Sequence, residues 1–221
     1  MFEDRDFLLR TIRNLVDGLL GEQDSDVAAM ESRLAEDQES AGAELLGPGG
    51  PPLVSLSEEE VVARLTETEA GSWRLARAGA VLLEGGALAD AITEAEGAAG
   101  ADPLVFYTRS LRCYLEAGER PLSRLPAGAL AERLAFLLPR LRGQALSESS
   151  EQLLLRYFER GGRYAELEDL LFERVSRGLS GAAEAGRAAM TRLLDVPDEA
   201  LMAGGLSRDE VRQALAELGA R

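Results

Sequence analysis

Between Leu75 and Pro103, small and apolar residues fall at helical spacing on both sides of a glycine, and this stretch constrains the fold more than any other. Leu75, Ala78, Gly79 and Leu82 share one face, Gly86 interrupts, and Ala91, Ala95, Ala98 and Pro103 carry a second helix to its stop. The spacing predicts two helices joined by a turn at Gly86. Such a pair has an apolar face that it cannot cover alone, so it must stack on neighbours.

The device recurs further along the chain. Tyr107, Leu111, Tyr114 and Gly118 place another first helix and its turn, after which Pro121 and Pro126 interrupt. A helix over 127–141, kinked or ended at Pro139, is expected next. Leu154, Leu155, Phe158, Gly162, Tyr164, Leu167 and Leu171 then repeat the helix–turn–helix pattern. Helices over 182–195 and 207–218 complete the array. The last opens on the capping box Ser207–Glu210 and carries the charges expected of a helix that caps a stack.

Aromatic residues are only 5% of the chain and Ala, Leu, Glu and Arg dominate, a composition that favours an all-α fold. The spacing of residues 57–181 resembles the tetratricopeptide-repeat superfamily, which implies an α-solenoid of helix pairs. The segments Asp6-Phe7-Leu8-Leu9-Arg10 and Arg163-Tyr164-Ala165-Glu166 also look like an uncharacterised bacterial family of such proteins. In the tetratricopeptide superhelix the first helix of each repeat lines a concave groove. The resemblance therefore implies a peptide-binding groove formed by Trp73, Ala76, Thr108, Arg112, Gln152 and Arg156. Arg112 and Arg156 fall at equivalent places, and a guanidinium strip suits a carboxylate on a partner peptide. The alternative for these arginines is pairing along their own helices, and for Trp73 it is core packing rather than an anchor.

Ahead of this body, Leu8, Ile12, Leu15 and Leu19 form an apolar stripe ended by Gly21, and Val27, Met30, Leu34, Ala41 and Leu45 form a second. Residues 1–46 thus read as a helical hairpin, 47–56 as a Gly/Pro linker, and 57–221 as the repeat body with its C-terminal capping helix. Ser57 and Glu60 form the capping box that opens the body. The first stripe needs cover, from the hairpin, from the body or from a second copy in a homodimer.

The formal net charge is −15 and all 24 basic groups are Arg. Between Glu22 and Glu60 there are eleven acids and one base, Arg33. This acidic hairpin is either a solvated face or a docking surface for a basic partner or for the chain's own arginines. An acidic field of this size excludes non-specific nucleic-acid binding and disfavours anionic membranes. With no basic leader, no apolar run long enough to span a bilayer and one cysteine, Cys113, a cytoplasmic protein is expected.

The chain contains no histidine, which removes the commonest general base and the usual zinc ligand. Without lysine there is no Walker A loop. Cys113, among Leu111, Tyr114 and Leu115, reads as a buried structural thiol. Carboxylate pairs such as Glu168 with Asp169, or Asp24 with Asp26, are the catalytic equipment that is left. The sequence therefore reads as a non-enzymatic scaffold without cofactor or metal that binds a protein or peptide. Self-association through the first helix, or a carboxylate-dependent hydrolase, are the alternative readings.

Overall fold

The computed structural model describes residues 27–67, 71–96, 101–120 and 127–220. All regular structure among them is helical. The chain divides into two compact units between Ala145 and Leu146, inside the stretch that the sequence reads as one body.

In the first unit, α1 (Val27–Leu46) buries Met30, Leu34, Gln38, Ala41 and Leu45, a stripe at steps of three and four. A short 3-10 turn, Leu53–Ser55, leads into α2 (Glu58–Thr66). Ser57 caps α2 with the reciprocal box expected: Glu60 N donates to Ser57 Oγ at 3.2 Å, and Ser57 N donates to Glu60 Oε2 at 2.9 Å. Residues 47–56 are not a free linker. Leu53 and Leu56 are buried in the same core as α1, and the chain passes so close that a Cβ on Gly42 would collide with the Pro51 carbonyl oxygen. Gly47 and Gly49, both at positive φ, let the chain fold back in this way.

The centre of the unit is α3 (Gly71–Glu96), which runs without a break through Gly85 and Gly86. The turn expected at Gly86 does not form. At 26 residues α3 is about 39 Å long, and Ala78–Leu83 is buried on every side. α4 (Pro103–Glu119) begins where the sequence placed a stop: Pro103 is its first residue and Asp102 its cap, accepting from Leu104 N at 2.9 Å. α4 packs along α3 through three aromatic rings set on glycines, Phe106 on Gly85, Tyr107 on Gly86 and Tyr114 on Gly79. Tyr107 and Tyr114 are seven residues apart, as are Gly79 and Gly86, so an antiparallel pair brings both matches into register. Ser110 Oγ donates to the Gly79 carbonyl at 2.7 Å between them. α5 (Ala127–Arg140) adds Leu134 and Leu137 to the buried set and carries Pro139 in its last turn, as expected. From α5, Arg133 donates to the Tyr114 hydroxyl at 2.6 Å.

In the second unit, α6 (Glu148–Arg160) and α7 (Tyr164–Ser176) form the expected helix pair, turned at Gly161–Gly162 with Gly162 at φ 65°. α8 (Ala182–Leu193) packs on α7, and α10 (Arg208–Gly219) packs on α8. Ser207 and Glu210 form the second capping box. Between α8 and α10 lies a helix that the sequence reading lacks, α9 (Asp198–Ala203), held by Arg208, whose guanidinium donates to Asp198 Oδ1 at 2.8 Å and to the Val196 carbonyl at 2.5 Å.

Candidate functional site

The contact of α1 with α3 leaves a cavity of about 200 Å³. From α1 it is lined by Arg33, Asp37, Ser40, Ala41 and Glu44, spaced one turn apart on the edge of the buried stripe. From α3 it takes Arg77, Val81, Glu84, Gly85 and Leu88, again one turn apart. Ala41, Val81 and Leu88 make an apolar wall, and the charged groups gather around it.

Those charges are mostly matched. Arg33 Nε lies 3.8 Å from Asp37 Oδ2, and Arg77 Nε lies 3.8 Å from Glu44 Oε1. Both pairs are exposed and longer than hydrogen bonds, so each contributes little to stability. Glu84 is different. It is half-buried and makes no hydrogen bond or ion pair with a described residue. Burial pushes its carboxyl above the usual range, with Asp37 adding to the effect and Arg77, Arg133 and Arg33 opposing it. Gln38 is buried beside Gly85, and both its amide oxygen and its amide nitrogen lack a partner among the described residues.

The expected groove residues lie elsewhere. Trp73 and Ala76 are on α3, where the Trp73 side chain is 49% exposed and therefore not part of the core. Thr108 and Arg112 are on α4. The Thr108 hydroxyl is turned back to the Leu104 carbonyl at 3.0 Å. Arg112 is buried and its Nη2 lies 2.8 Å from Glu116 Oε1, so this guanidinium braces its own helix instead of lining an open groove. Gln152 and Arg156 are exposed on α6, in the other unit, and Gln152 Nε2 donates to Glu148 at 3.3 Å. The stripe Leu8, Ile12, Leu15 and Leu19 lies outside the described residues.

Two further groups carry charge or chemistry. Glu151 is buried on α6 and paired with Arg174 of α7 and with Arg177, the residue that follows α7, a cross-link within the helix pair. Glu168 is half-buried beside exposed Asp169, and burial together with Asp169, Glu210 and Glu217 raises its carboxyl above the usual range. No group of three or more potential metal ligands exists among the described residues. Cys113 is buried and its thiol is pushed up to about 12 by desolvation, which makes it a poor nucleophile.

The sequence reading missed Glu84 and Gln38. A signal for Glu84 was present: it is the one charged residue in the apolar run from Gly79 to Ala89. Comparison with known proteins matches residues 2–221 to a family of unknown function, DUF6483. The chain belongs to the DUF6483 family. No curated protein and no solved structure matches it. In this DUF6483 member no helix among the described residues is long and apolar enough to cross a membrane.

Proposed function

We propose that this protein is a non-enzymatic binding module that docks a basic peptide segment along α1, with the cleft between α1 and α3 as the docking face. The observation that carries the reading is the cavity itself, which sits on the edge of a helix whose exposed face bears Glu31, Glu36, Asp37, Glu39 and Glu44 against Arg33. A field of that sign draws cationic partners and speeds their encounter. The cavity volume is below the roughly 300–1,000 Å³ of small-molecule sites, which suits a side chain of a partner better than a cofactor.

Hydrolysis by two carboxylates needs an acid and a second carboxylate free to act as base or nucleophile. Asp37 and Glu44 each face an arginine, which favours binding over chemistry here. The tetratricopeptide-like reading keeps its best support in the α6–α7 pair, where helix, Gly-Gly turn and helix follow the expected order.

The test is direct. Fluorescently labelled arginine-rich and glutamate-rich peptides of equal length are titrated with the full chain at low and high salt. The arginine-rich peptide binds and weakens as salt rises. Preferential binding of the glutamate-rich peptide, or of a peptide only through its free C-terminal carboxylate, would instead favour an arginine-lined groove.

A further inference from the structure

We propose that the cavity between α1 and α3 receives one basic side chain of the docked peptide, and that Glu84 is the carboxylate that takes its charge. This rests on the reading of the cleft as the docking face and names the group the cleft recognises.

Of the five charged residues around the cavity, four are matched in two pairs, Arg33 with Asp37 and Arg77 with Glu44. Glu84 is the fifth. It is set into an apolar helix, half out of water, with no direct partner among the described residues. A carboxylate held in this way is poorly solvated when ionised, and an incoming cation supplies the missing partner. The carboxyl's displacement above the usual range agrees with that geometry.

The shape of the site selects the same ligand. An arginine or lysine side chain has a methylene stem and a charged head, and such chains lay the stem along apolar surface while the head finds its partner. Ala41, Val81 and Leu88 offer that surface beside Glu84. An anion would meet three carboxylates against two arginines, each of which already faces one of them at 3.8 Å. A neutral group would leave Glu84 as it is.

The experiment uses the full chain labelled with nitrogen-15 and four probes: N-acetyl-arginine methylamide, the lysine equivalent, the neutral citrulline equivalent, and a penta-arginine peptide. The two cationic caps are expected to shift the amides of Ser40 and Gly85 saturably, and citrulline to bind at least tenfold more weakly. Glu84→Gln, which keeps the side-chain shape, is expected to weaken the cationic caps at least tenfold. Glu84→Asp keeps the charge with a shorter reach and is expected to fall between. Glu59→Gln on α2, away from the cavity, is expected to leave binding unchanged. Equal binding of citrulline and arginine, or unchanged binding by Glu84→Gln, would overturn the assignment. Penta-arginine binding that persists at full strength in Glu84→Gln overturns Glu84 alone and leaves the docking face standing. Penta-arginine that binds neither protein overturns both.

Discussion

Gly86 lies under the ring of Tyr107 so closely that a Cβ on it would come within 2.5 Å of the ring carbon Cε1. Tyr107 is itself buried and held by its hydroxyl, which donates to Asp90, and by the edge of Phe136 at 6.2 Å between centroids. The ring has nowhere to retreat. The missing side chain at position 86 is thus what lets α4 settle against α3.

Gly86→Ala is therefore expected to destabilise the protein. Overpacking costs roughly 1–3 kcal/mol, and the gain in helix propensity returns about 1 kcal/mol. Gly128→Ala on α5 is the comparison, since nothing lies within 4 Å of its would-be Cβ; it is expected to be neutral or to stabilise by up to about 1 kcal/mol. Urea unfolding of both variants checks the contrast.

This relationship also explains how far the sequence could be read. The capping boxes at Ser57 and Ser207 and the turn at Gly161–Gly162 are local, and each formed as its residues predict. Gly86 did not, because a glycine's backbone entropy cost is offset by aromatic packing that depends on Tyr107, 21 residues away. Residues 47–56 misled for a similar reason: their Gly and Pro make turns, but the turns serve to bring Leu53 and Leu56 into the core. The cavity joins Arg33–Glu44 to Arg77–Leu88, a pairing of helices that no local pattern states.

Gln38→Leu is expected to stabilise the fold. A buried amide without partners costs about 1–3 kcal/mol, and leucine places apolar atoms beside Gly85 instead. The expected gain is about 1 kcal/mol, read as a higher urea midpoint with an unchanged slope.

Glu151 is expected to be the most sensitive charged residue of the second unit. Its replacement by Ala takes the buried, hydrogen-bonded carboxylate from Arg174 and leaves it only the exposed Glu148 at 3.8 Å, and breaking one partner of a buried pair costs about 3–5 kcal/mol. Replacing Glu151 and Arg174 together by Leu and Met should recover much of that loss, since neither charge then stays buried alone. Circular dichroism melts of the single and double variants check this.

Glu84 makes stability depend on pH in a direction opposite to a salt-bridged carboxylate. Its carboxyl is raised from 4.5 in the folded chain, so the folded state holds the proton more tightly than the unfolded state. Its favourable contribution is present below pH 4.5 and is lost as pH rises through the folded value. Glu84→Gln, which never ionises, is therefore expected to gain stability relative to the parent as pH rises above 4.5, with the difference levelling off once pH has passed the folded value. Parallel urea titrations across that range read the difference. A variant that becomes more stable while losing its ligand is what a binding residue predicts and a structural residue does not.

The claim that the α1–α3 cleft is a docking face is tested most directly by mapping amide shifts across the full chain as an arginine-rich peptide is added. The account predicts that the shifts cluster on Arg33–Glu44 and Arg77–Leu88 and collapse in high salt. Shifts centred on Gln152 and Arg156 of α6, or none at all, would contradict it.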